Sequence, residues 1–543
     1  MKLLVVIPVR GQSKGIPRKN IRLMNGIPLM VYSIKTANSL KEHYDTDVVI
    51  TTEDEEIKEI ALQYGMEVVE RPQNLAGDAV TLDPVIYHAV TFCEASKNKN
   101  YDVVITMQAT SPTLRSVTLK NAVDAFLSGM EDTMISAVNE PHLSWGYAGE
   151  EIVPQYEKRL NRQQLPKHFK ETGGFLITRR ECVTENGRIG KKVTVHEVPK
   201  SEAIDIDTEN DWKVCEAILS AKRILFRVDG EESLGMGHVY RCLSLAYHLT
   251  GHELLFVTKK EYPLGVKKLQ DSYFNLRIID VDEELYSIID EFKPDIVIND
   301  VLDTKKEYMQ AIRKKVPRII NFEDRGEGAE LADCVINAIY ANEKGANVYH
   351  GSDYFFIRDE FLTARPKEFS EEVKNVVVLF GGSDPSNLTR KTYKILQHIA
   401  EQHQETEFHI ITGFGYKYKN EIQDDVEHKI YIHNDVKRVS KYLAEADLAI
   451  TSQGRTIFEL ACMGVPAVVL AQNGRELSHV FASFSNGFIN LGLGSQQQDE
   501  TIRSTIEWLI STPNVRKEMR ELMLDKDFKQ GQKNVLRLIL GEA

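Results

Sequence analysis

Three times along this chain of 543 residues a short apolar run passes straight into a glycine-bearing loop and then into a helical pattern. The stretches are LLVVIPVRGQSKGIPRKN from Leu3, RILFRVDGEESLGMGH from Arg223 and NVVVLFGGSDPSN from Asn375. An apolar run of that length, closed by glycine, reads as a strand covered on both faces, and such strands belong to parallel sheets whose crossovers are helices. A chain this long exceeds what one hydrophobic core sustains, so the three starts read as three α/β units. The expected boundaries are 1–221, 223–368 and 369–543, with the last two opening alike and forming one two-lobed module.

The alternation continues inside each unit. DVVIT (47–51), EVVE (67–70), DVVITMQ (102–108) and MISAV (134–138) read as further strands of a parallel sheet. NIRLMNGIPLMVYSIKTANSL (20–40) reads as the first helix, and EDEEIKEIALQYG as an amphipathic helix stopped by Gly65. DIVIND (295–300) and PRIINFED (317–324) extend the second unit, and EFHIITGFG with DLAITSQGRTIFELACMG the third. At DWKVCEAILSAKRILFRV a helix runs into the next strand with no flexible linker.

A net charge of −13 argues against a general nucleic-acid binder. The cations of the opening loop, Arg10, Lys14, Arg18 and Lys19, are therefore a local feature. They read either as a solvated basic loop or as a site for a phosphate chain, since a loop between strand and helix aims N–H groups at anions. Six cysteines without a CxxC pair argue against a zinc site or a disulfide framework and suit a reducing cytoplasm. The N-terminal apolar run is too short for a membrane span and lacks a signal-peptide cleavage site.

Further residues invite chemical readings. Asp205 and Asp207 lie two apart, spaced to share one Mg²⁺ on extended backbone; alternatively Asp207 or Thr208 merely caps the helix that starts at Glu209. His238 follows Gly235 and Gly237 at a strand-to-helix turn. It reads as a general base that activates water, or as a capping or surface group. Gly381, Gly382 and Ser383, like Ser452, Gly454 and Thr456, precede helices whose N-termini suit a pyrophosphate.

The first unit resembles the CMP-sialic-acid synthetases and related sugar cytidylyltransferases. LLVVIPVRGQSKGIPRKN, ERPQNLAGD (70–78), MQATSPTLR (107–115), RQQLPKHFKETGGFLIT (162–178) and AIDIDTENDW (203–212) match in order over about 210 residues. Gln12 departs from the pattern, where the family often has glycine. The resemblance implies a nucleotidyltransferase Rossmann-like domain that joins CTP to a nonulosonic acid with Mg²⁺ as cofactor. It implies catalytic roles for Lys19, Asp205 and Asp207, with the two carboxylates on the metal. CTP would meet Arg10, Gly11, Ser13, Lys14, Asn20, Arg71 and Asp78, although Arg71 suits a structural salt bridge equally. The sugar acid would meet Gln108, Ser111, Arg115 and Arg162, with Lys167 a further carboxylate partner. A homodimer through the N-terminal domain is also implied.

The remainder is similar to the UDP-sugar hydrolase of pseudaminic acid biosynthesis, which has the two-lobed GT-B fold of MurG-type glycosyltransferases. The matching residues are Asp229, Gly230, Gly235, Gly237, His238, Arg241 and Cys242, then LFGGSDPSN (379–387) and ITSQGRTIFELACMGVPAVVLAQN (450–473). This implies release of UDP from a UDP-2,4-diacetamido-2,4,6-trideoxyhexose, with His238 as base. Gly235, Gly237, Arg241, Gly382, Ser383, Ser452, Gly454, Thr456 and Glu459 would hold the UDP-sugar. An Asp-Ser/His-Tyr element expected after the fourth strand reads instead NDVLDT (299–304), without its tyrosine. A nucleotide-sugar sensor and a glycosyltransferase with an acceptor other than water are the alternatives for this half. The whole chain is thus expected to be a bifunctional enzyme of the cytoplasm acting on CTP, a nonulosonic acid and a UDP-amino sugar, with no nucleic acid and no membrane span.

Overall fold

The first apolar run becomes the central strand Lys2–Pro8, whose side chains from Leu3 to Ile7 are fully buried. A computed structural model describes all residues except 12, 14, 78, 232–235, 341–344 and 543. Two compact units result, Met1–Ala221 and Lys222–Ala543.

The sheet of the first unit has seven strands. In spatial order they are Val193–Glu197, Thr133–Asn139, Phe169–Arg179, Val103–Thr106, Lys2–Pro8, Asp45–Thr52 and Glu67–Glu70. The strands expected from the sequence all run in one direction, and Phe169–Arg179, which is not among them, runs antiparallel to both its neighbours. Its outer half, Phe169–Glu171, is exposed, so the segment lacks the continuous apolar signature of a doubly covered strand. The expected helix over 20–40 is corrected here. Leu23–Met24 and Ile27–Pro28 pair as a small hairpin, and the helix is Leu29–Asn38. The turn is Asn25–Gly26, with φ of +48° and +77°, the dipeptide that tight hairpins favour. The next helix, Glu55–Gln63, is capped by Asp54, which accepts from Ile57 N at 3.0 Å.

The second unit holds two all-parallel sheets. The first lobe orders its strands Leu276–Ile279, Glu253–Lys259, Arg223–Val228, Ile296–Asp300, Arg318–Phe322, Cys334–Asn337 and Val348–His350. The second orders them Ile430–Asn434, Glu407–Thr412, Asn375–Leu379, Leu448–Thr451, Ala467–Ala471 and Phe488–Leu493. The last helix, Phe528–Leu540, does not stay with the second lobe. Val535, Leu538 and Ile539 pack into the core of the first, and Arg318 donates to the Leu538 and Ile539 carbonyls at 2.6 and 3.1 Å. The boundary expected at 369–543 is therefore crossed by the chain's own C-terminal helix.

Phe458 joins the lobes' connecting segment to the second core. Its ring stacks on Phe355 at 3.8 Å and on Phe481 at 4.1 Å, and it is fully buried. Phe458→Ala is expected to lower unfolding stability by about 3–5 kcal/mol, read from the midpoint of denaturant unfolding. An unchanged midpoint would mean that the stack contributes nothing. Among the described residues, no helix is long and apolar enough to cross a membrane.

Candidate functional sites

In the first unit, the loop after the central strand folds against the 205–207 segment. Lys19 Nζ donates to the Ile206 carbonyl and lies 3.6 Å from Asp207 Oδ1. Gly15 makes that approach possible, because a Cβ there would sit 2.5 Å from the Asp207 carbonyl oxygen. Ile206 is fully buried between two carboxylates of different surroundings. Asp207 is largely exposed, whereas Asp205 Oδ1 is buried and has no hydrogen-bond partner. Burial raises the Asp205 pKa, Thr110 opposes this by hydrogen bonding, and the Asp207 charge adds to the rise.

Of the two capping candidates, Asp207 and Thr208, it is Thr208 that caps the helix. Thr208 is the N-cap of Glu209–Leu219 and forms a reciprocal pair with Asp211, so neither Asp205 nor Asp207 is used as the cap. An orphaned, buried carboxylate oxygen beside a second carboxylate and a lysine fits a hard divalent cation with attached phosphates. Among the described residues no cluster of three or more His, Cys, Asp or Glu could hold a metal, so phosphate oxygens and water would complete the coordination of such an ion.

Several of the expected ligand residues are engaged in contacts within the protein. Arg71 is buried, donates from Nη2 to the Thr51 carbonyl at 2.7 Å and lies 3.2 Å from Glu53 Oε2. Glu53 Oε1 in turn accepts from Gly11 N at 2.9 Å, so Arg71 acts on the loop through Glu53. Asn20 is buried and donates to the Arg10 carbonyl at 2.9 Å. Ser111 is buried and donates to the Thr172 carbonyl at 3.1 Å. Gln108 remains half-buried against Gly173. Arg10 and Arg162 are exposed and Ser13 is half-buried. Arg115 reaches Glu202, 3.8 Å away, and Lys167 pairs with Glu197 at 3.1 Å. Lys14, Asp78 and Gly235 lie outside the described residues.

The second unit carries a cavity of about 690 Å³ between its lobes. Gly237, His238 and Arg241 line it from the first lobe; Gly382, Ser383, Ser452, Gly454, Thr456 and Glu459 line it from the second. His238 sits on the helix Gly237–His248, and its Nδ1 bonds to Asp300 at the end of strand Ile296–Asp300. A carboxylate only accepts, so Nδ1 carries a hydrogen, and in the neutral tautomer that arrangement puts the lone pair on Nε2. Arg241 grips the same carboxylate with two bonds of 2.7 and 2.6 Å. Burial acts to raise the Asp300 pKa, but the Arg241 charge and His238 outweigh it and hold the carboxyl well below its usual range.

The two helix N-termini of the second lobe differ. Asp384 accepts from Leu388 N at 3.0 Å and Thr389 N at 2.8 Å, so the helix after GGSDPSN is already capped by a carboxylate. This corrects the expectation that both helices offer their amides to a pyrophosphate. Helix Thr456–Met463 has no side-chain cap, and Arg455 stands in its N-cap position. That end keeps its positive pole for an anion. Glu459, one turn on, accepts from Arg358 Nε at 2.8 Å.

Four cavity-lining residues, Glu323, Tyr340, Arg455 and Glu476, and the buried Asp300 behind His238 escaped the sequence reading. Burial pushes the Glu476 carboxyl up to about 7, although it accepts from Gln472 N at 2.7 Å and Gln453 N at 3.2 Å. Tyr340 lines the cavity with its hydroxyl on Arg475 Nε at 2.7 Å, from a segment well beyond the one that lacks the expected tyrosine. Asp300 and Glu323 did have a signal: each closes or follows an apolar strand at its carboxyl end, where open α/β sheets bind ligands.

Comparison with known proteins follows the same division. A cytidylyltransferase model matches residues 4–168, and a glycosyltransferase family 28 C-terminal domain model matches residues 376–533. The pseudaminic acid cytidylyltransferase of Campylobacter jejuni is 32% identical over 241 residues, 43% of this chain and 100% of that one. An uncharacterized protein of Methanocaldococcus jannaschii is 31% identical over 274 residues, 46% of this chain, which spans only 56% of that relative's length. Among solved structures, MurG of Acinetobacter baumannii aligns with a TM-score of 0.43 at 15% identity, covering 59% of this chain and 99% of MurG. The chain belongs to the cytidylyltransferase family of the pseudaminic acid cytidylyltransferases, and behind that domain residues 376–533 match a glycosyltransferase family 28 C-terminal domain.

Proposed function

We propose that the first unit transfers CMP from CTP to a nonulosonic acid of the pseudaminic or legionaminic type. The observation that carries this reading is the meeting of Lys19 with the Asp205–Asp207 segment, 187 residues away, in a chain that spans a whole pseudaminic acid cytidylyltransferase. The anomeric hydroxyl of the acid attacks the α-phosphorus of CTP. An O–P bond forms, the bond from the α-phosphorus to the bridging oxygen breaks, pyrophosphate leaves and the hydroxyl proton passes to solvent water. Lys19 and Arg10 supply positive charge to the phosphates. Asp205 and Asp207 would hold Mg²⁺, which when bound neutralises phosphate charge. Incubation with CTP and a panel of nonulosonic acids, with products identified by mass, tests the reading; no CMP-sugar from any of them would overturn it.

Lys19→Ala is expected to raise KM for CTP or lower kcat by about ten- to a hundredfold, the cost of one charge-assisted contact. The melting temperature should barely move. An unchanged CTP profile would make the loop an ordinary basic surface.

We propose further that the second unit hydrolyses a UDP-2,4-diacetamido-2,4,6-trideoxyhexose. The His238–Asp300 pair facing the uncapped helix Thr456–Met463 across one cavity supports this. Water attacks C1, its proton passes to His238 Nε2, and the bond from C1 to the β-phosphate oxygen breaks to release UDP. The match to a glycosyltransferase family 28 domain favours a second reading, transfer to an acceptor other than water. UDP release without added acceptor separates the two. UDP-sugar binding without turnover under either condition would leave a sensor.

The exposed Trp145, Tyr147 and Ile152 on the hairpin Trp145–Ala148/Glu151–Pro154 support a homodimer through the first unit. Scattered free cysteines support a cytoplasmic location.

A further inference from the structure

We propose that Glu323 is a positioning residue: it ties the His238–Asp300–Arg241 cluster of the first lobe to Arg455 of the second, and so holds His238 for reaction while the lobes are joined. The inference rests on the hydrolase reading of this cavity and adds a part that the reading does not contain.

Glu323 follows strand Arg318–Phe322 and is buried, yet its backbone takes φ of +52°. Left-handed backbone is costly for a residue with a Cβ and persists where surrounding contacts impose it. Here the contact is a carboxylate shared by two guanidiniums. Glu323 Oε1 accepts from Arg241 Nη1 and, at 2.8 Å, from Arg455 Nη1. Its neighbour Asp324 stays within the first lobe, taking Thr304 N at 2.9 Å, Gly326 N at 2.8 Å and Asn321 Nδ2 at 2.6 Å. The acid pair therefore divides its work, and only Glu323 spans the lobes.

Arg455 is well placed to report on a bound diphosphate. It occupies the N-cap position of the uncapped helix Thr456–Met463, donates from Nη2 to the Phe356 carbonyl at 3.2 Å, and covers the Phe355 ring at 4.4 Å. A Cβ on Gly237, the residue before His238, would lie 3.3 Å from Arg455 Cδ. On the other side, Asp300 Oδ1 is shared between His238 Nδ1 and Arg241 Nη2, and those two nitrogens are 3.3 Å apart. They compete for one oxygen. Glu323 draws Arg241 Nη1 away toward Arg455 and so balances that competition. Without its charge, Arg241 and Arg455 face each other unshielded, Arg241 is left wholly to Asp300, and the imidazole loses its hold.

The test uses the full chain with UDP-2,4-diacetamido-2,4,6-trideoxyhexose and UDP. Glu323→Gln is expected to lower kcat for UDP release about ten- to a hundredfold, with KM and the Kd of UDP within about threefold, as for a misaligned catalytic group. Glu323→Asp keeps the charge on a residue that tolerates left-handed backbone, and should recover most of kcat. Crystal structures of wild type and Glu323→Gln with UDP should show His238 Nδ1 on Asp300 in the first and displaced in the second. Unchanged kcat, or an unchanged His238–Asp300–Arg241 arrangement in the variant, overturns the proposal. Loss of UDP affinity and melting temperature together, without rescue by Glu323→Asp, also overturns it, because that is the signature of a purely structural ion pair. If the wild type releases no UDP, the hydrolase reading fails, and the crystallographic comparison alone decides whether Glu323 positions His238.

Discussion

Asp205→Asn is expected to cut CMP-sugar formation by about a hundredfold or more while leaving the first unit as stable as before, or more stable. The two effects have one cause. The Asp205 carboxylate is buried with Oδ1 unpartnered, and burial raises its pKa, so holding it ionised costs the fold free energy. Asparagine has nearly the same shape without that cost. On the proposed reading catalysis uses the charge: with Asp207 it would supply oxygen ligands to a divalent cation, and losing several kcal/mol of charge stabilisation corresponds to a hundredfold or more in rate. Asp207→Asn should act in the same direction, with the added loss of its contact to Lys19. UDP release by the second unit should be untouched in both variants. The measurements are CMP-sugar formation at saturating Mg²⁺ and CTP, and a thermal melt. Near-normal synthesis by Asp205→Asn would remove the metal assignment. A marked drop in melting temperature with it would show that the carboxylate supports the fold instead.

His238→Asn is expected to slow UDP release by about 10²–10⁴-fold, the usual contribution of a general base. Asparagine still donates to Asp300, so the buried carboxylate keeps a partner and the melting temperature should stay close to wild type. What disappears is the Nε2 lone pair facing the cavity. UDP affinity should change little, because the helix end proposed to hold the pyrophosphate, that of Thr456–Met463, belongs to the other lobe. CMP-sugar synthesis should not change, since it resides in the separate unit Met1–Ala221. Measuring all three activities on one variant decides the matter: equal hydrolysis by wild type and variant would strip His238 of the catalytic role.

The amino-acid sequence alone determined the features that depend on near neighbours. Apolar runs such as Leu3–Ile7 and Val376–Leu379 became buried strands, because a segment with no polar face has nowhere else to go. Asp54 and Thr208 started helices where their side chains reach amides two or three residues on. The hairpin at Asn25–Gly26 was also legible in the dipeptide, though a run of helix formers concealed it. The positions of His238 and Asp205 were legible for the same reason, being set by short motifs.

Tertiary structure alone decided what those groups do. His238 meets Asp300 across 62 residues, Arg241 meets Glu323 across 82, and Arg455 meets Glu323 across 132. A carboxylate after a strand looks the same in sequence whether it caps a helix, as Asp384 does, steadies a loop, as Asp324 does, or bridges two guanidiniums, as Glu323 does. Strand order brings the ends of Arg223–Val228, Ile296–Asp300 and Arg318–Phe322 side by side, and the lobe-to-lobe approach sets Arg455 against them. Hydrogen bonds and ion pairs act over about 3 Å, so their partners are chosen by that assembly and leave no local pattern behind.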